Sequence, residues 1–486
     1  MTRPNRRTFL KTAAAGAAFT FVISDSRRRV LGANETIRVG VAGINGRGGA
    51  HIDAFATMPD VQVSYLIDPD SRLFAKRSEQ VQKRGGNTPT CVQDIRRALE
   101  DKNLDAVSIA TCNHWHSLIT IWACQAGKDV YVEKPCSHNV FEGRKCVEAA
   151  RKYGRIVQHG TQSRSSASWA RQAAAVASGK YGKLLISKGY ASKPRWTIGF
   201  KPDTDPPSEL DYNLWLGPAP EMPFNGNLVH YNWHWFWETG NGEIGNQGVH
   251  QMDIARWAIP GAKLPDWVIS AGGRYVDEPE HGWKDQGQTP NMQITVMGFG
   301  DVLLLFEVLG LVGKEGPGGK KFDPKVDNEF YLTEGVIRGG KFYPKGKDQA
   351  EELDKFDVTM GPGDQFENFI ACVRSRKVDQ LHADIEVAHY SAALCHLGNI
   401  SYRLGAESSF ADAAKALPDN ETVAASWKAL EEHLAGALGV NLAEMKCTVG
   451  PKLAFDPARE RFVDNAEADR LLTRNYRAPF VVPETV

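Results

Sequence analysis

The segment from Ile37 to Asp68 constrains the fold of this chain more than any other stretch. Ile37 to Ala42 is a short β-prone run that ends in Gly43-Ile44-Asn45-Gly46-Arg47-Gly48-Gly49. A helix-compatible stretch, His51 to Met58, follows, then a second β-prone run, Val61 to Ile67, that stops at Asp68. Strand, glycine-rich turn, helix, strand and terminal carboxylate make the opening unit of a dinucleotide-binding parallel sheet. Missing side chains let backbone N–H groups approach a diphosphate, and the helix start adds about half a positive charge. In the register Gly43-x-Asn45-x-x-Gly48 an asparagine replaces the middle glycine, with extra glycines at 46 and 49. Asparagine tolerates positive φ better than most residues, so the turn is expected to survive. Asp68 is placed to accept hydrogen bonds from ribose hydroxyls and to repel a 2′-phosphate, which favours NAD over NADP. Arg72 is near enough to weaken that preference.

Two more units extend the pattern. Asp105 to Ala110 reads as a buried strand ending in Thr111-Cys112-Asn113-His114-Trp115-His116. After a helix from Ser117 to Ala126, the run Asp129 to Val132 ends in Glu133-Lys134-Pro135. Ligands of open parallel sheets sit at the carboxyl ends of the strands, where both polar clusters fall. Glu133-Lys134-Pro135 in that position, with Thr111-x-x-x-x-His116 one strand earlier, resembles the Gfo/Idh/MocA (glucose–fructose oxidoreductase/inositol dehydrogenase) family over Ile37 to about Tyr402. Cys112 stands where the family usually has proline. The resemblance implies an NAD(P)-binding Rossmann domain over 36–160. It implies a mainly antiparallel open-sheet domain for substrate and oligomerisation over 161–405, and a homo-oligomer. It places Gly43, Asn45, Gly46, Arg47, Gly48, Asp68, Thr111, His116, Glu133, Lys134 and Pro135 around the cofactor.

The second half suits an α+β domain. A helix from Ser165 to Ser178 precedes β-prone runs at Leu184–Ala191, Val268–Arg274, Met292–Phe299, Val302–Val308 and Glu329–Ile337. Helices Asp364–Ser375 and Glu386–Leu404 are expected to pack back between the domains, and 406–486 to form a helical extension and tail. His230 to Glu238 carries three of the twelve tryptophans within five residues. Beyond it, Asn246, His250 and Asp253 are spaced to share one face of a helix from Gly248 to Trp257, with Asn246 as its cap. They resemble the family's D-x-x-x-H-x-x-D signature with Asn246 in place of the first carboxylate. A neutral amide leaves His250 near a pKa of about 6.5, so His250 is expected to accept the substrate proton. Lys134 would have to fall by about 3 in pKa, roughly 4 kcal/mol, to do so, and is expected instead to hydrogen-bond the substrate oxygen. Gln162, Trp233, His234 and Asp253 are expected to line a carbohydrate site, the tryptophan face suiting a sugar ring. His230 and His234 with His250 or Asp253 form an alternative zinc set; the favoured reading has no metal.

Residues 1–33 resemble a twin-arginine leader: Arg6-Arg7-Thr8-Phe9-Leu10-Lys11 precedes the apolar run Ala13–Ile23, too short to span a membrane. The leader implies export, already folded, through the twin-arginine machinery to the bacterial periplasm, cleaved or retained as an anchor. Lys+Arg and Asp+Glu both total 58, and beyond residue 33 the net charge is −6, which excludes a nucleic-acid footprint. The eight cysteines contain no C-x-x-C pair and are expected to be mostly free and buried. Together these features predict an exported NAD-type oxidoreductase of a sugar or polyol with a tightly held cofactor. Three alternatives stand beside it: a redox-neutral glycosidase or epimerase of the same fold, a non-catalytic ligand sensor, and a metal-dependent hydrolase on the 230–253 cluster.

Overall fold

The computed structural model describes residues 35–276, 285–347 and 349–486, so the leader at 1–33 lies outside the described residues. In the first domain, β1 (Ile37–Ala42), α1 (Arg47–Thr57), β2 (Val61–Ile67), α2 (Phe74–Gly85), β3 (Thr90–Val92), α3 (Ile95–Leu99), β4 (Ala106–Ile109), α4 (Asn113–Gln125), β5 (Asp129–Val132), α5 (Val140–Lys152) and β6 (Val157–His159) alternate. The six strands form one parallel sheet in the order β3-β2-β1-β4-β5-β6. That order reverses between β1 and β4, and the crevice at such a reversal is where parallel sheets of this kind bind ligands. β4 and β5 are buried along their whole length, as strands covered on both faces must be. Helix α4 begins at Asn113, four residues before the expected start, so His114 and His116 lie inside it.

The second domain opens with α6 (Ala167–Ala177), β7 (Leu184–Ser192), α7 (Tyr212–Leu216), α8 (Gly242–Asn246) and α9 (Gly248–Trp257). Then come β8 (Trp267–Gly273), β9 (Met292–Phe299), β10 (Val302–Leu309), β11 (Lys325–Leu332), β12 (Gly335–Arg338), β13 (Lys341–Pro344) and β14 (Glu351–Glu352). Helices α10 (Gln365–Ser375) and α11 (Ile385–Arg403) are followed by β15 (Ala406–Ser408), α12 (Phe410–Ala416), α13 (Glu421–Leu438), β16 (Cys447–Val449), β17 (Leu453–Asp456), β18 (Arg461–Phe462) and α14 (Ala466–Arg470). The sheet has 12 strands, with β14-β13-β12-β11-β7-β10-β9-β8-β16-β15 in line. It is antiparallel except where β7 meets β10. The run expected as one strand from Glu329 to Ile337 is a hairpin, β11 and β12 turning at Thr333-Glu334. The segment past 405, expected as a helical extension, adds β15, β16 and β17 to this same sheet.

Both long helices near the end of this domain pack back on the first, as expected. Phe366, Phe369 and Ile370 of α10 bury themselves with Tyr131 of β5 and Phe55 of α1. Along α11, Ile385, Ala388 and Ala392 join the first domain's core while Leu394, Leu397 and Ile400 join that of the second. Asp364 caps α10 with a complete capping box, Glu367 answering from the third position. All eight cysteines are free, six of them buried.

Candidate active site

A cavity of about 530 Å³ opens at the carboxyl ends of β1, β4 and β5 and is closed by residues of the second domain. Its corner at the end of β1 is shaped by glycine. Gly43 has φ +79°, and a Cβ there would stand 2.5 Å from the Ala110 carbonyl. A Cβ on Gly48 would stand 1.9 Å from the Gly43 oxygen, so Gly48 serves strand–helix packing and does not line the cavity. Gly46, by contrast, faces open space. Asn45 does not use the positive φ its side chain tolerates; Gly43 takes that strain alone. Gly46 is also the N-cap of α1, and no side chain caps the first turn. The Gly49 N–H turns back to the Gly46 carbonyl (3.0 Å), but the N–H groups of Arg47 and Gly48 have no intrahelical acceptor, so backbone donors and the helix dipole remain available to an anion. The residues present therefore fit a dinucleotide diphosphate.

Asp68 lines the cavity as expected. Its Oδ2 accepts from the Ile44 N–H (2.9 Å) and its Oδ1 from the Asp70 N–H (3.0 Å), which fixes the carboxylate and leaves each oxygen lone pairs for a ribose. Burial pushes its pKa up. Arg72 does not line the cavity, because Asp70 grips its guanidinium (Nε to Oδ1, 2.8 Å). It has no part in the ribose corner, contrary to the sequence expectation.

The motif after β5 is split between structure and site. Glu133 is buried, accepting from Arg47 Nε (2.7 Å) and paired with His51 Nε2 (3.0 Å). Burial opposes its charge, yet His51 and Arg47 hold it well below the usual carboxylate range. Glu133, Arg47 and Thr111 line the cavity; Pro135 and His116 do not. The His116 ring lies between the carbonyl oxygens of Pro135 (2.6 Å) and Thr111 (3.0 Å), so it ties the two loops together instead of touching a cofactor.

Lys134 reaches across to the second domain. Its Nζ donates to the main-chain oxygen of Asn246 (2.7 Å) and to Oδ1 of the same residue (3.0 Å). Asn246 Nδ2 donates in turn to Glu243 Oε2 (3.0 Å), and Glu243 is bound by Arg195 through Nε (2.6 Å) and Nη2 (3.0 Å). Asn246 thus ends α8 and orients Lys134; the expected capping of α9 does not occur, Gln247 standing at that position without a side-chain capping bond. Burial lowers the Lys134 pKa, with Glu133 and Glu243 opposing the shift. His250 lines the cavity, but burial and the Lys134 charge depress its pKa to about 3 instead of leaving it near its ordinary value.

Gln162, Trp233 and His234 line the cavity, the last two stacked with ring centres 3.6 Å apart. Asp253 does not. It is 1% exposed and held by Arg164 (2.8 and 2.9 Å) and Ser391 (2.6 Å), a structural anchor one turn beyond His250 on α9. His230 and His234 do not converge on a common ion: His230 Nε2 meets Asp70 (2.8 Å) and His234 Nδ1 meets the Tyr231 carbonyl (2.6 Å). Among the described residues no three His, Cys, Asp or Glu side chains are grouped to hold a metal. Sequence reasoning missed Tyr231 and Lys193 in the lining and Glu243 and Arg195 behind it. Glu243 was findable, one helical turn before Asn246; Lys193 and Arg195 follow a strand end with no motif to mark them.

Residues 37–161 match the model of an oxidoreductase family NAD-binding Rossmann fold, and 181–263 that of the same family's C-terminal alpha/beta domain. The scyllo-inositol 2-dehydrogenase (NAD(+)) of Bacillus subtilis is 26% identical over 52% of this chain and 63% of its own length. A glycosyl hydrolase family 109 protein of Shewanella pealeana is 26% identical over 30% of this chain and 37% of its own. The chain thus spans less than two thirds of the length of these curated relatives. The structure of the WlbA dehydrogenase from Bordetella pertussis in complex with NADH and UDP-GlcNAcA shares the fold, with a TM-score of 0.53 at 17% identity, covering 76% of this chain and 97% of that one. Over residues 37–161 and 181–263 this chain is therefore similar to the NAD-binding Rossmann domain and the C-terminal α/β domain of the Gfo/Idh/MocA oxidoreductase family.

Proposed function

We propose that this chain is an NAD-dependent oxidoreductase acting on a CH–OH group of a sugar or polyol, exported through the twin-arginine machinery with its cofactor already held. The observation that carries this reading is the meeting of Lys134 with Asn246 and His250 in the cavity that also contains the uncapped start of α1 and Asp68. Bound NAD supplies the hydride acceptor or donor; the chain's own residues hold the substrate and move its proton. An imidazole with a pKa of about 3 is too weak a base for an alcohol, whereas burial brings Lys134 toward the range in which a general base works. Lys134 therefore takes the hydroxyl proton, and neutral His250 hydrogen-bonds the same oxygen, the reverse of the roles expected from sequence. Tyr231, 56% exposed at the cavity, offers an uncovered ring to a sugar face beside Gln162 and His234.

The family 109 relative favours a second reading on the same residues, a redox-neutral glycoside cleavage in which the cofactor returns to its starting state. One set of measurements tests both. Heat release from purified protein is expected to yield NAD(H), and added NAD, not NADP, to raise the melting temperature. Scyllo-inositol and levoglucosan are then offered while NADH absorbance is followed, and an aryl glycoside while aglycone is followed. NADH formation supports the dehydrogenase, and aglycone release without net NADH supports the redox-neutral route. Protein that releases no dinucleotide and melts unchanged with NAD would sink both. Cell fractionation with and without Arg6-Arg7 tests the export.

A further inference from the structure

A second cleft, of about 400 Å³, lies at the other end of the tryptophan-rich segment. Trp233 and His234 line the first cavity, whereas Trp237, Glu238 and Asn241 line this one. Its floor is neutral and buried, with Asn139, Asn241, His396 and Asn399 each 5% exposed or less. Its rim carries three guanidinium groups, Arg403 at the end of α11, Arg470 at the end of α14, and Arg474. The one carboxylate among the described lining residues, Glu238, is already engaged by Arg474 Nη2 (2.7 Å). Positive charge therefore exceeds negative around the opening.

The hydrogen bonds sharpen the chemistry. Arg474 Nη1 donates to His138 Nδ1 (3.2 Å). A guanidinium cannot accept, so Nδ1 is the acceptor and the neutral ring carries its hydrogen on Nε2. That Nε2–H, the Nε–H of Arg474 and the Oδ1 of Asn399 have no partner among the described residues. Buried polar groups are paired as a rule, so two spare donors and one spare acceptor beside unbalanced arginines describe a missing partner that is anionic and also carries hydroxyls. Trp237, with Arg403 5.2 Å from its ring centre, supplies the apolar wall.

We propose that this cleft binds a small hydroxylated anion, a sugar or polyol bearing a carboxylate or a phosphate, with the charged group among Arg403, Arg470 and Arg474 and the hydroxyls on Asn399 and His138. The site is separate from the dinucleotide cavity and does not depend on the reaction proposed there. The test is calorimetric titration of the full chain with D-glucuronate, D-glucose 6-phosphate and D-glucose, with NAD present so that the start of α1 does not compete for the anion. Wild type is compared with Arg403→Gln and Arg470→Gln, both at exposed rim positions. At least one of the two anions is expected to bind wild type and to lose about tenfold in affinity in each variant. Whichever binds names the charged group. Glucose is expected to behave alike in all three proteins. Failure of both anions to bind at about 10 mM, or anion affinities untouched by both substitutions, overturns the proposal.

Discussion

Lys134 is held by two oxygens without net charge, the main-chain and side-chain carbonyls of Asn246, while the carboxylate behind them, Glu243, is already paired with Arg195. This arrangement keeps an ammonium in place without an anion in contact with it, and burial is then free to lower its pKa. Asn246→Asp puts an anion at hydrogen-bond distance from Nζ and removes the donor that Glu243 accepts. Its expected effect is to raise the Lys134 pKa, so the rising limb of kcat/KM against pH in the oxidative direction moves up by at least about 1 pH unit. Activity at pH 7 should drop roughly tenfold and return at higher pH. A limb that stays in place would show that Lys134 does not carry the proton. No limb near pH 6.5 is expected from His250 in the wild type, because its pKa lies at about 3. The position of His250 was legible in the spacing from Asn246. Its basicity was not, since that depends on how completely the folded chain buries it beside Lys134.

Among the elements, α5 and α11 cross closely and are clamped by a residue from a distant turn. Gly143 of α5 comes so near α11 that a Cβ there would stand 2.5 Å from the His389 ring. Glu460, from the turn between β17 and β18, pairs with His389 of α11 (3.0 Å) and with Arg144 of α5. Burial opposes its charge, but these partners win and bring its pKa from 4.5 to about 2. A carboxylate whose folded pKa is depressed stabilises the fold above its unfolded pKa, and that contribution disappears as pH falls through the folded value. Glu460→Gln is therefore expected to cost about 1–2 kcal/mol at pH 7, after discounting for its partial exposure. The deficit should shrink as pH falls from about 4.5 toward 2, read by denaturant unfolding at a series of pH values. A pH-independent deficit would make Glu460 a packing residue only. Helix α11 itself was evident from its long apolar periodicity, within one residue at each end. The β11–β12 hairpin was not, because Thr333-Glu334 carries no proline, asparagine or aspartate and the apolar pattern runs on through it.

At the scale of the whole molecule, the last residues close the structure on itself. Phe480 meets Trp115 edge-on, ring centres 5.4 Å apart, and joins Val482 and Val486 in the first domain's core. Trp115 also lines the dinucleotide cavity, so the far end of the chain buttresses the site. Ending the chain after Tyr476 removes these side chains. It is expected to cost about 3–6 kcal/mol, from at least two buried apolar groups, and to weaken NAD binding as Trp115 loses its support. Thermal unfolding with and without NAD checks this, and an unchanged melting temperature would mean that the tail contributes nothing to the first domain. The sequence by itself determined the parallel nucleotide-binding sheet, the turn at Gly43 and the carboxylate at Asp68, because each follows from local periodicity and from the backbone room that glycine leaves. Only the tertiary structure decided that Asp253, His116 and Gly48 are supports and not contacts, that Glu243 stands behind Asn246, and that the tail belongs to the first domain. Those outcomes depend on which residues distant in sequence are brought together and stripped of water, and no local pattern encodes that.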